Sequence, residues 1–258
     1  MVQLSLFNFQ LLTYIMYTLA LVVFISLYFV TAGYGQFRSK AWGLSLDNKV
    51  AWVLMEAPVF FVMGSIWWAS GCSLHVPELV LLCLFELHYF QRSFVFPLLL
   101  SGKSRMPVAI MLMGVCFNVI NGLLQGGGLY WYPNPDFAEG ASYLLRWNAI
   151  FGIVLFIAGM TINLHSDHVI RHLRAPGDTR HYLPSRGFYR YVTSANYFGE
   201  LLEWVGFALC ANTLVAWLFP IWTAANLVPR AHSIHKKYRA EFGDEAVGRR
   251  KRVIPFIY

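Results

Sequence analysis

Charged side chains are scarce in this chain. Asp, Glu, Lys and Arg make up 13% of the 258 residues, 57% are hydrophobic, and the mean hydropathy is +0.51. So little polar surface cannot cover a soluble globule of this size, which leaves an integral membrane protein. Cysteine is sparse as well: Cys72, Cys83, Cys116 and Cys210 are scattered without metal-ligand spacing and are expected to be small buried hydrophobes. A Rossmann Gly-x-Gly-x-x-Gly, a P-loop, a His-Glu-x-x-His pair and a Gly-x-Ser-x-Gly elbow are all missing, so any dinucleotide would be held without the usual fold. No repeat, low-complexity tract or long linker divides the chain, which predicts a single domain over 1–258. The opening Met1-Val-Gln-Leu-Ser-Leu has no basic n-region or small-residue cleavage site, so the first apolar run is expected to remain as a helix.

What is present is a series of apolar runs, each near the roughly 20 residues a helix needs to cross a hydrocarbon core. They fall near 10–32, 51–69, 78–100, 107–125, 144–164, 194–211 and 213–229, predicting an all-α membrane protein, a seven-transmembrane-helix bundle. Of 20 basic residues, all but Arg92 and Arg146 fall after the first, third, fifth and seventh runs, whereas the 126–143 loop carries Asp136 and Glu139. Lys and Arg collect on the cytoplasmic side, so the N-terminus is read as outside and the C-terminus as cytoplasmic. The net charge of +7 therefore needs no nucleic acid to explain it. The Arg249-Arg250-Lys251-Arg252 run reads as a solvated or headgroup-facing patch.

Polar groups inside apolar segments are too costly to keep for packing alone, and the stretch from Asn163 to Ala208 is rich in them. Asn163, Asp167, Arg171 and Arg174 recur at spacings of four, four and three, which puts them on one side of a continuing helix. A carboxylate and an amide beside two guanidinium groups suit a ligand carrying hydroxyls and phosphates; a helix-end ladder pairing Asp167 with Arg171 fits the spacing equally. Asn196, Glu200 and Glu203 recur at four and three inside an apolar run, which calls for a cavity beside them, or for Glu203 a buried partner such as Arg230. Glu56 lies about 8 Å and Tyr89 about 16 Å below the cytoplasmic surface at the helical rise of 1.5 Å per residue. Glu86 and Arg92 sit three residues either side of Tyr89, on the same helical face. A Tyr hydroxyl held by a carboxylate in a dry site is a proton donor to a carbonyl oxygen; His88 reads as a satisfied core histidine.

The residues that carry a family likeness run through nearly the whole chain. They are Gly33-Tyr34-Gly35, Glu56 with Pro58, Leu87-His88-Tyr89-Phe90-x-Arg92, Asn121-Gly122-x-Leu124-Gln125-Gly126, Asn163-x-His165-Ser166-Asp167, Leu173-Arg174-x-Pro176-Gly177, Ser194 through Glu200, Glu203-Trp204 and Ile254 through Tyr258. At these positions the chain resembles the steroid 5-alpha-reductase family, membrane enzymes that use NADPH to saturate the Δ4 double bond of 3-oxosteroids. The resemblance implies a bundle open to the cytoplasm for NADPH and laterally to lipid for the steroid. It implies that Asn163, Asp167, Arg174, Asn196, Glu200 and Tyr238 line the cofactor site with the Tyr34-Gly35 turn against it; Arg92, Arg171 and His235 join them as candidates. It further implies a catalytic pair, Glu56 and Tyr89, at the substrate's 3-keto oxygen, and a steroid pocket lined by Trp52 and Phe117. The cofactor part is then mainly 160–258 and the substrate part mainly 30–125. The chain departs from the family pattern at Met55, His181-Tyr182, Asn226 and Ile234, which bears on substrate identity and on NADPH against NADH.

Other readings stay open on sequence alone: a reductase of another lipid enone, enoyl thioester or sterol double bond, an isoprenylcysteine-methyltransferase-like enzyme, or a transporter or receptor. No obligate protein partner is expected beyond a lipophilic substrate and membrane lipid, and the membrane is read as a bacterial inner membrane or the endoplasmic reticulum.

Overall fold

The computed structural model describes residues 3–31, 33, 35–37, 42–100, 104–175, 178 and 180–258. Its helices are α1 (Leu6–Phe29), α2 (Asn48–Ala69), α3 (Val76–Phe90), the short α4 (Phe96–Leu99), α5 (Val108–Tyr130), α6 (Trp147–Arg171), α7 (Ala195–Ala211) and α8 (Leu214–Val247). Among the described residues, five helical stretches are long and apolar enough to cross a membrane: α1, α2, Val76–Leu99, α5 and α6. Their outer faces are apolar too, with Phe7, Leu21, Phe61, Trp68, Leu98 and Val154 exposed, as a lipid-facing surface requires. The protein is a multi-pass, all-α membrane protein. The two remaining apolar runs are occupied by α7 and the first half of α8.

Local chemistry explains the helix ends. Asp47 caps α2 by accepting from the backbone N–H groups of Lys49 and Val50, and Thr213 caps α8 by accepting from that of Ala216. Asn212, at φ 50°, turns the chain between α7 and α8 in the left-handed conformation that Asn tolerates. Two features leave no pattern in the sequence. A two-stranded antiparallel ribbon pairs β1 (Ser45–Asp47) with β2 (Arg105–Pro107), tying the start of α2 to the start of α5. Between α3 and α4, Gln91–Val95 forms a π turn, which inserts an extra residue into the helix and changes the direction in which Arg92 points.

Closest of all is the approach of α6 to α7. Gly152 and Gly159 on α6 face Gly206 and Gly199 on α7. A methyl group at Gly159 would stand 2.4 Å from the Glu203 nitrogen and 2.6 Å from the Gly199 oxygen, and one at Gly199 2.4 Å from the Asn163 nitrogen. Small residues let backbones meet in a membrane, where dispersion rather than water exclusion drives helix association. The aromatic core beside this pair is built on Trp204, whose ring lies 4.1 Å from Phe219 and 5.7 Å from Phe85. The expectation for the cysteines is corrected: Cys210 is buried, but Cys83 and Cys116 are exposed on the outer face, where lipid solvates a thiol as readily as a core does. α5 runs on to Tyr130, into the expected 126–143 loop, and in the segment joining it to α6 Arg146 binds both Asp136 and Glu139, closing Pro135–Leu145.

A Leu at position 159 has nowhere to go, so Gly159→Leu should cost at least the roughly 1–3 kcal/mol typical of overpacking. By contrast Gly64→Ala, whose new methyl would meet its nearest neighbour at 3.8 Å, should be near neutral. Thermal melting of both variants in detergent checks the difference; equal melting temperatures would remove the close α6–α7 contact.

Candidate active site

The polar residues of α6 and α7 do converge, and a residue from the π turn after α3 joins them. Asn163 Nδ2 donates to the Asn196 carbonyl at 3.1 Å and to Glu200 Oε2 at 3.4 Å, and Asn196 Nδ2 donates to Asp167 Oδ1 at 3.1 Å. The Arg92 guanidinium reaches Asp167 at 3.4 Å and Glu200 at 3.8 Å. Asp167 is thus paired across helices to Arg92 and not to Arg171 within its own helix. The side chains of Arg92 and Glu200 keep 14% and 16% of their surface, so the cluster is reachable, whereas Glu203 at 1% is sealed. Sealed, Glu203 takes the imidazole of His88 at 2.7 Å, and His88 rather than Arg230 is its partner. Arg230 Nε donates instead to the Tyr197 hydroxyl at 2.9 Å.

Across from this cluster α5 supplies two amides one turn apart. Asn118 Nδ2 donates to Glu56 Oε2 at 3.1 Å and to the Met55 carbonyl at 2.8 Å. Asn121 Nδ2 donates to the Tyr89 hydroxyl oxygen at 3.4 Å. Both amides are buried, and neither stands out as a site residue in the sequence; polar residues three apart in an apolar run are the available signal. Glu56, Glu200 and Arg92 all lie within electrostatic reach of the Tyr89 phenol, which joins the two groups into one polar region. The Arg92 guanidinium also lies 4.8 Å over the Trp52 ring and 4.4 Å over Phe96. Phe117 stacks on Trp222 at 4.8 Å and contacts Phe219, which in turn stacks on Tyr89 at 6.3 Å. Glu86 parts company with Arg92: it faces Gly64 of α2, and both its buried oxygens lack a hydrogen-bond donor among the described residues.

Other candidates lie around the C-terminal end of α6 and the second half of α8. Arg171 closes α6, and Arg174 is exposed just beyond it. Arg180 and then Tyr182 hold the Asp178 carboxyl well below the usual range, and His181 bonds Glu241 of α8 at 2.7 Å, so the loop around them is tied to α8. Burial pushes the Tyr238 phenol up to about 12, with Tyr197 and Arg174 nearby. Gly35, at φ 60°, packs on Arg230, where a Cβ would meet Nη2 at 3.3 Å. Tyr34 lies outside the described residues. His235 sits apart, its Nδ1 3.3 Å from Thr193 Oγ1 and its ring in a cationic cavity with His232, Lys236, Arg239 and Arg252.

Residues 104–258 match the family model for 3-oxo-5-alpha-steroid 4-dehydrogenase. A steroid 5-alpha-reductase of Gossypium hirsutum is 35% identical over 259 residues, covering 98% of each chain. The chain belongs to the 3-oxo-5-alpha-steroid 4-dehydrogenase family. Within the same family, the Sus scrofa 3-oxo-5-alpha-steroid 4-dehydrogenase 2 is 38% identical, with 93% of this chain and 94% of that one covered. The Homo sapiens 3-oxo-5-alpha-steroid 4-dehydrogenase 2 is 38% identical, with 88% of each covered. The family match spans α5 to the C-terminus, and the full-length likenesses extend it over α2 and α3, which carry Glu56 and Tyr89.

The residues present fit a polyhydroxylated, phosphate-bearing cofactor. Beside the cluster, the hydroxyls of Ser93, Ser166 and Ser194 are buried with no hydrogen-bond partner among the described residues, and buried polar atoms are rarely left so without a ligand or water to meet them. Alternating amides and carboxylates would offer acceptors to such a cofactor's hydroxyls, and Arg92 and Arg174 would offer guanidinium donors to its phosphates.

Removing His88 leaves Glu203 as a buried, uncompensated carboxylate. His88→Leu should therefore lower stability by about 3–5 kcal/mol, and His88→Leu with Glu203→Leu should recover most of that loss. Chemical denaturation of the two variants in detergent measures the recovery; equal stability of the single and double variants would mean that the pair is not coupled.

Proposed function

We propose that this protein is a reductase that uses NADPH to saturate the Δ4 double bond of a 3-oxosteroid, giving the 5α-3-oxosteroid. Tyr89 carries this reading. Asn121 donates to its oxygen, so the phenolic hydrogen is left to donate outward, towards a substrate carbonyl, in a site walled by Phe219 and Phe117, with Trp52 under the Arg92 guanidinium. Asn118 holds one oxygen of Glu56, fixing the carboxyl group that shares the proton at the 3-keto oxygen with Tyr89. The dinucleotide, held by Arg92, Asn163, Asp167, Asn196 and Glu200 with Tyr238, Arg171 and Arg174 at the cytoplasmic rim, supplies the hydride that adds at C5. Protonation at C4 completes the reduction. Placing the cofactor part mainly in 160–258 and the substrate part mainly in 30–125 accords with this division, Arg92 being the residue that crosses it.

The same proposal includes the topology. With α7 and the first half of α8 as sixth and seventh spans, the N-terminus lies outside and the C-terminus in the cytoplasm. Arg171, Arg174, His181 and Tyr238 then share the side where NADPH is available.

Purified protein supplied with a Δ4-3-oxosteroid should consume NADPH, followed by absorbance, and yield a product about two mass units heavier, from the hydride and proton added. Glu56→Gln and Tyr89→Phe should each lower turnover by on the order of 10²–10⁴ while NADPH binding is retained; near-normal turnover in both rejects the assignment. Asp167→Asn should instead weaken NADPH binding about tenfold or more, a loss of ~1.4 kcal/mol or more. Arg174→Ala should narrow the preference for NADPH over NADH by about tenfold if that guanidinium meets the 2′-phosphate.

A further inference from the structure

Beyond the membrane end of α8, His232, His235, Lys236 and Arg239 project along one side of the helix, and Arg252 from the returning C-terminal tail completes a cavity of about 270 Å³. Backbone bonds pin that tail in place: Thr193 and Ser194 N–H donate to the carbonyls of Lys251 and Arg252 at 2.9 and 3.0 Å, and Lys251 N–H donates to that of Tyr191 at 2.8 Å. Among the described residues, the carboxylate paired with this group of cations is Asp244, on Arg239 at 2.6 Å. Buried Arg252 Nε has no acceptor among the described residues. Burial and then the nearby Arg252 push both imidazoles, His232 and His235, below their usual range, as expected where cations outnumber carboxylates.

An apolar edge adjoins the cavity. Tyr28, near the end of α1, places its ring 5.6 Å from that of His232 and its hydroxyl 3.0 Å from that of Tyr258. Next to it Phe29 is 85% exposed, and at the tip of the tail Phe256 and Ile257 are 78% and 75% exposed. Phe256 holds φ at 65°, a backbone conformation that a bulky residue adopts at a cost, and its ring touches that of Tyr191 at 5.4 Å but stays mostly exposed. Because Phe29 is the last residue of a membrane-spanning helix, cavity and edge stand at the depth where acyl chains give way to headgroups.

We propose that this cavity binds the headgroup of an anionic phospholipid, whose phosphate accepts from His232, Lys236 and Arg252 while its acyl chains cover Phe29, Phe256 and Ile257. A soluble phosphate would explain the cations alone; the exposed aromatic and aliphatic side chains beside them favour a lipid. The site goes beyond the reductase reading: of its five lining residues His235 alone is also a cofactor candidate, and none of the five takes part in the Arg92, Asp167, Asn196 and Glu200 cluster.

The test uses the full chain in detergent, titrated with dioleoylphosphatidylglycerol or dioleoylphosphatidylcholine, with retained lipid counted by native mass spectrometry. The wild type should retain phosphatidylglycerol in preference to phosphatidylcholine. Lys236→Gln and Arg252→Gln should each lower that preference severalfold, and Phe256→Ser should lower retention of both lipids. Lys236 is exposed, so its variant keeps the fold even if the tail of the Arg252 variant detaches. Equal retention of the two lipids by the wild type overturns the proposal, as does an unchanged preference in Lys236→Gln. Displacement of the phosphatidylglycerol by millimolar inorganic phosphate or by NADPH overturns it as well, and assigns the cavity to a soluble phosphate. Failure of the lipid test leaves the reductase reading intact, and a protein without reductase activity still reports on the lipid.

Discussion

Burying an ionised carboxylate among apolar helices is so unfavourable that a partner is needed to offset it, and for Asp167, Glu200 and Glu203 partners from elsewhere in the chain hold the bundle together around the site. Arg92 answers Asp167 and Glu200 together, and His88 answers Glu203. Each pair joins α3 or the π turn after it to α6 or α7. The electrostatic requirement therefore acts as a cross-link between the half of the molecule that holds Tyr89 and the half that holds the amide–carboxylate cluster. Glu203 and Glu200, one turn apart on α7, are given different tasks by this pairing. One is sealed against an imidazole; the other stays reachable for a ligand.

Such pairing needs helices at the right distance, and glycine provides it. Gly152, Gly159, Gly199 and Gly206 let α6 and α7 meet backbone to backbone, which is why the Asn163 amide can reach both the Asn196 carbonyl and the Glu200 carboxylate. The π turn has a comparable effect on α3, re-aiming Arg92 away from Glu86 and over Trp52 and Phe96. Around Glu56 and Tyr89 the ribbon of β1 and β2 ties α2 to α5, and Asn118 and Asn121 meet these two side chains. The likeness to the 3-oxo-5-alpha-steroid 4-dehydrogenases over nearly the whole chain accords with a site assembled from both halves.

Much of the candidate site is legible in the amino-acid sequence. Asn163, Asp167, Asn196 and Glu200 stand out because intramembrane polar residues at helical spacing have few structural uses, and they do converge. Their partners are harder to read. Helical spacing suggests Asp167 with Arg171, and charge alone suggests Glu203 with Arg230; the true partners are Arg92 and His88, both far away along the chain. Asn118 and Asn121 escape notice as site residues because a lone amide in an apolar run gives no sign of which neighbour it serves. Cys83 and Cys116 lie outside rather than inside, since in a membrane an apolar residue carries no information about which way it faces.

The sequence by itself determined that this is a membrane protein of long apolar helices, and it marked the polar residues that such a protein could not keep without a use. Both follow from hydrocarbon's intolerance of charge, which leaves its record in composition and spacing. Only the tertiary structure decided which carboxylate faces which cation, that α5 rather than α2 or α3 holds the catalytic candidates in place, and that the C-terminal tail returns to close a cationic cavity. Those outcomes depend on close backbone approach and on one irregular turn, and neither changes the hydrophobic pattern from which helices are read.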